Sequence, residues 1–180
     1  GGVHPRFGTK NLIIPLARSR YVEVIEALDH PAADKCSFGQ VVRSRSEAGG
    51  GWIGFVLRVD DITTVEQRLG VPSAEGNRHR PDGFELKWRQ VGVKGLQADP
   101  QLPFFIQWET DDEHHPSRSG ASDVELCCLQ IAGDPDRVRA WCGVGPDYTP
   151  STLTFDFVAP HGTPGLLSCT FTTPTGPVTI

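Results

Sequence analysis

The segment Gly51–Leu69 reads GWIGFVLRVDDITTVEQRL. Its first half alternates like a half-buried strand, and the pair Asp60–Asp61 that ends it offers side-chain acceptors where a helix begins. Ile62, Val65 and Leu69 then share one helical stripe, Thr63 and Glu66 have capping-box spacing, and Gly70 is placed as a stop. A strand over 52–59 followed by a helix over 61–69 is a βα unit.

Strands continue on both sides of it. Upstream, TKNLIIPL (9–16) and RYVEVIEAL (20–28) read as two strands joined by a turn at 17–19, and a helix is expected over 31–48, starting near Asp29 or His30 and broken by Gly49, Gly50 and Gly51. In the second strand Glu23 shares a face with Tyr21 and Ile25, an acid among apolar side chains. Downstream, a polar loop rich in Pro, Gly and Arg precedes FELKWRQV (84–91) and PFFIQWE (103–109), both strand-like by aromatic and β-branched content. After a second polar loop, VELCCLQIA (124–132) leads to Asp134 and Pro135, which open a short helix ending at Gly143. LTFDFV (153–158) and the hairpin LLSCTFTTPTGPVTI (166–180), turning at Pro174, Thr175 and Gly176, complete a third unit.

Composition narrows the function classes. With 38% hydrophobic and 22% charged residues the chain is globular, and 20 glycines and 15 prolines in 180 residues favour many turns, so sheet is expected to outweigh helix. A net charge of -5 gives no footprint for phosphate backbones, and no apolar run is long enough to cross a bilayer, so nucleic acid and membrane are not expected partners. Five cysteines without CxxC spacing suggest neither a disulfide framework nor a zinc knuckle, and a reducing cytoplasm fits best. No serine-hydrolase elbow, phosphate loop, HExxH or dinucleotide fingerprint is present.

Several of these stretches together resemble a known family. GGVHPRFGTKNLIIPL, RYVEVIEALDHPAADK, GWIGFVLRVDD, LKWRQVGVKGL, PFFIQW and HHPS look like the glyoxalase-like branch of the vicinal oxygen chelate superfamily. The resemblance implies an α+β fold of paired βαβββ modules whose curved mixed sheets form a cup. Residues 1–50 would then be a partial first module without its opening strand and helix, 51–120 the second, and 121–180 a third unit completing the sheet. It also implies a cavity for a small polar or aromatic molecule, and in metal-dependent members a divalent ion that chelates two neighbouring oxygens of the substrate.

Carried over residue by residue, the family pattern is incomplete here. Its acid falls on Glu23, and the counterpart in the second module on Gln107, a neutral amide; if a pseudo-twofold axis relates the modules, the two face each other across one cavity. The histidine that opens the second module falls on Gly54, and Trp52 on the same face cannot bind an ion. The remaining histidine belongs to a strand before Gly1, or the third unit replaces it with Cys127 or Cys128, a thiol that a hard cation does not favour. The cofactor is therefore open: a divalent metal lacks a full ligand set, with Glu23 and Gln107 as the weak candidates and at least three protein ligands usual in catalytic sites.

The chemistry these residues suggest is lyase or isomerase action beside a carbonyl. Glu23 would be the base, with His4 or His115 as proton partner, because a carboxylate facing a cavity is costly unless paired, coordinated or protonated. Its bland alternative is an ion pair with Arg89 or Lys94. Asn11, Trp52, Trp88, Arg89, Phe105, Gln107 and Trp108 are the expected walls and substrate contacts, against the plain reading of strand aromatics as core. His114 and His115 are adjacent in an extended segment, so they point apart and would not share one ion. The rival class is a protein that sequesters a small molecule without reacting it, and a third reading has a second copy covering an open sheet edge as a homodimer.

Overall fold

The computed structural model describes residues 1–145 and 152–180. Two sheets carry the fold. The first has seven strands: β1 (Gly2–His4), β2 (Thr9–Leu16), β3 (Arg20–Ala27), β4 (Val56–Arg58), β5 (Ala74–His79), β6 (Glu85–Val91) and β7 (Phe104–Trp108), in the order β3-β2-β1-β5-β6-β7-β4. Only β4 runs parallel to its neighbour, β7; the other pairings are antiparallel. With the helix α3 (Ile62–Leu69) between β4 and β5, residues 56–108 form one βαβββ unit. Strands β1, β2 and β3 repeat its last three strands on the other side of β5, and the sheet curls into a half-barrel with few helices, an α+β vicinal oxygen chelate architecture.

Local chemistry explains most element ends. Asp61 caps α3 by accepting from the Thr63 backbone N–H at 2.9 Å, and Gly70 closes it at φ 64, a left-handed conformation that glycine adopts freely. The expected Thr63–Glu66 box is not the cap: the Glu66 carboxylate accepts from the Ser73 N–H instead. The helix expected over 31–48 is two, α1 (Pro31–Lys35) and α2 (Ser37–Glu47), because Cys36 is extended at φ -96, ψ 129. The strand expected over 52–59 pairs only at 56–58.

Two strands were not legible, the short β1 before the first expected strand and β5. AEGNRH (74–79) lies in the stretch expected to be loop, yet forms β5 at the centre of the sheet, between β1 and β6. Gly76 is what lets it sit there, because it lies opposite Trp88 and a Cβ at that position would be 2.3 Å from the indole ring. Gly76→Ala is expected to cost about 1–3 kcal/mol by overpacking, read as a lowered urea midpoint together with a shifted tryptophan emission. An unchanged midpoint would mean that the ring has free room to move.

The second sheet, β11-β10-β8-β9, comprises β8 (Glu125–Ala132), β9 (Thr154–Val158), β10 (Gly165–Thr173) and β11 (Gly176–Thr179), with α4 (Pro135–Cys142) following β8. Leu129, Ile131, Leu166 and Phe171 pack with Leu16 and Phe55 of the first half of the chain. Arg20 donates to the Leu126 carbonyl at 2.9 Å and to the Thr152 hydroxyl at 2.7 Å, fastening the start of β3 to this sheet. Cys127 and Cys128 are on β8, in the second sheet, and do not line the hollow that Glu23 faces. Among the described residues no helix is long and apolar enough to cross a membrane.

Candidate functional site

Along each strand of the first sheet alternate side chains face inward. From β1 and β2 these are His4, Asn11 and Ile13; from β3, Tyr21 and Glu23; from β5, Arg78; from β6, Trp88 and Gln90; from β7, Phe104, Ile106 and Trp108. They line a hollow of about 510 Å³ counted out to open solvent at its mouth. Polar groups and aromatic rings together suit a small molecule with a planar body.

The polar end is one connected network. Asn11 Nδ2 donates to Glu23 Oε1 at 2.6 Å, while Asn11 Oδ1 accepts from Arg78 Nη1 at 3.1 Å and from the Gly2 backbone N–H at 2.9 Å. These partners fix the amide orientation, which in turn fixes the His4 tautomer. His4 Nε2, 3.4 Å from Asn11 Nδ2, is the bare acceptor, and Nδ1 carries the hydrogen that it donates to Thr9 Oγ1 at 2.9 Å. The same Nε2 stands 3.7 Å from Glu23 Oε1.

Burial sets the charge states. His4 is 4% exposed, and burial, aided by the Arg78 guanidinium, lowers its pKa to about 3, so the ring is neutral near pH 7. Glu23 is crowded by protein, which raises its pKa, while the Asn11 hydrogen bond and Arg78 pull the other way. Its side chain is still 31% exposed through the mouth, so water moderates that rise. Burial also raises the Tyr21 phenol, keeping it protonated, and lowers the Arg78 guanidinium.

Of the expected site residues, the fold brings His4, Asn11, Glu23, Trp88 and Trp108 to the hollow. His115 sits just behind it, with its ring edge-on to Tyr21 at 5.7 Å and to Trp108 at 5.4 Å, and Nδ1 bound to Ser117. Burial lowers its pKa to about 4. His114 is turned away onto Phe84, stacked at 4.0 Å.

Four others are elsewhere. Gln107 is on the opposite face of β7 from Ile106 and Trp108, and its Oε1 accepts from the Ile62 N–H at the start of α3 at 2.9 Å, so it does not face Glu23. Phe105, on the same outer face, is core beneath α3. Arg89 is turned from Trp88 and Gln90 toward Glu66 and Ser73, and Trp52 donates to the Ile180 carbonyl. The pairing of Glu23 with Gln107 fails by one residue of register, which in a strand exchanges the faces. Gln107→Leu is expected to destabilise by about 1 kcal/mol, the loss of a helix-end acceptor, with ligand affinity unchanged within twofold. A larger affinity loss in calorimetry would return Gln107 to the hollow.

The donors present do not fit a divalent ion. Among the described residues no three His, Cys, Asp or Glu side chains converge, and the Glu23 carboxylate already faces an amide N–H and a nearby guanidinium. Gly54, two residues before the lining residue Val56, is not emptied by crowding: a Cβ there would meet only Leu96, at 3.4 Å.

Sequence reasoning missed Arg78 and Gln90. Arg78 was hidden in the unrecognised β5. Gln90 had a usable signal, since it follows Trp88 at strand spacing and accepts from that indole N–H at 2.9 Å.

Comparison with known proteins agrees with this architecture. A family model described as a glyoxalase-like domain matches residues 1–143. The crystal structure of a hypothetical protein from Staphylococcus aureus is similar, with a TM-score of 0.64 and 17% identity over 87% of this chain and 75% of that one, a likeness of fold alone. No curated protein matches. The cupped sheet and the family match over most of its length together make this chain a member of the glyoxalase-like domain family of the vicinal oxygen chelate superfamily.

Proposed function

We propose that the hollow binds a small carbonyl compound and that Glu23 exchanges a proton on the carbon beside that carbonyl, as in a lyase or isomerase. The observation that carries this is the position of Glu23: a carboxylate at the mouth of an aromatic hollow, held by Asn11 at 2.6 Å and with its proton affinity raised. In the step, the C–H bond breaks, its electron pair becomes the enolate, and the carboxylate takes the proton and returns one from solvent. His4, with Nε2 3.7 Å from Glu23 Oε1, stays neutral, and its lowered pKa leaves the gained proton on Glu23.

Solvent exchange tests this without knowledge of the natural product. Hydroxyacetone and pyruvate in deuterated buffer are expected to lose their α-proton signals faster with the protein than with buffer of equal pH. No acceleration, with binding still seen by ligand-observed resonance, would leave the second reading, sequestration without turnover. That reading is favoured by the aromatic wall of Phe7, Phe38, Trp88, Phe104 and Trp108, which suits holding a planar molecule.

A further inference from the structure

We propose that the ligand of this hollow is a carbonyl acid, anchored by its carboxylate, which Arg78 receives. The inference rests on the small-molecule reading above and adds the substrate class. Arg78 is 4% exposed, and among the described residues it forms no ion pair with any carboxylate. Arginine is seldom buried in that condition: Glu23 reaches it only through Asn11, and a guanidinium without an anion in direct contact costs free energy that a bound one recovers.

The hydrogen bonds show which side of it is available. Nη1 is spent on Asn11 Oδ1 at 3.1 Å, whereas Nε is buried with no acceptor. The edge of a guanidinium formed by Nε–H and an Nη2–H is the one that takes a carboxylate through two parallel hydrogen bonds. An acceptor arriving there would satisfy a donor that the protein leaves without one.

Asn11 ties this anchor to the acid. Its one amide group spans Arg78 on the oxygen side and Glu23 on the nitrogen side, at 3.1 and 2.6 Å. The aromatic walls of the hollow suit a flat substituent on the ligand.

The neighbouring charges are consistent with an anion. His4 is neutral and does not compete with Arg78 for it.

Calorimetry with pyruvate, 2-oxobutanoate and phenylpyruvate, each beside its methyl ester, tests the assignment. The acids are expected to bind at least tenfold more tightly than their esters, and Arg78→Lys, which keeps the charge but loses the fork, to erase most of that difference. The comparison in the unaltered protein stands even if the variant does not fold. Esters binding as tightly as acids would overturn the Arg78 anchor and leave the hollow as a neutral carbonyl site. Failure of acids and esters alike would overturn both readings.

Discussion

Glu23→Gln is expected to slow α-proton exchange by about 10²–10⁴-fold, the usual worth of a positioned general base, while ligand affinity changes by only a few fold. The glutamine retains a carbonyl oxygen where Asn11 Nδ2 now donates at 2.6 Å, so the network with Arg78 and His4 keeps its geometry. What disappears is a group able to accept a proton. In the unaltered protein the exchange rate should rise with pH as Glu23 ionises, at a pH above the usual carboxylate value, because crowding raises its pKa. The variant should lack that rise. Equal rates for the two proteins across the profile would remove Glu23 from the chemistry.

Acid is expected to unfold the protein early. His4 and His115 have folded pKa values of about 3 and about 4, against about 6.5 in the unfolded chain. Between those limits the unfolded chain binds protons that the folded one refuses, so stability falls as pH falls, by up to about 1.4 kcal/mol per pH unit for each histidine. Glu23 works in the opposite direction above the usual carboxylate range: its folded form holds a proton that the unfolded form releases, so lowering the pH relieves its penalty.

The net loss therefore begins below about pH 6.5 and continues to about pH 4, because Glu23 offsets at most one of the two histidines. Both histidines together can remove a few kcal/mol, a large part of the roughly 5–15 kcal/mol that holds a domain. Urea midpoints at pH 7, 5.5 and 4.5 measure this, and His4→Gln or His115→Gln should each flatten the curve. A midpoint constant down to pH 4.5 would mean that the rings are not held neutral.

What the sequence concealed follows from where information resides in a sheet. Alternation and capping residues marked β2, β3, β6, β7, β8 and α3, although in β2 and β3 the apolar stripe of Leu12, Ile14 and Val24 is the exposed one. AEGNRH has no such stripe; β5 exists because β1 and β6 pair with it on either side, a property of neighbours. Arg78 went unseen with it. His4, Asn11 and Glu23 could be named from the motif and the strand alternation, whereas Arg89, Phe105 and Gln107 could not be placed without knowing which strand face turns inward. Each of the three lies beside a residue that does line the hollow.

Strand β3 carries Tyr21 and Glu23, and among the described residues it is also the last strand of its sheet. The outward face that β3 shares with β2, with Leu12 and Ile14 of β2 and Val24 of β3 exposed by 68, 50 and 52%, is apolar. A polypeptide zipping onto that margin would shut water from one flank of the acid and tighten its grip on hydrogen. Protein concentration thus belongs beside pH as a variable in any titration of this molecule, since dilute and crowded samples would then report different acidities for one carboxyl.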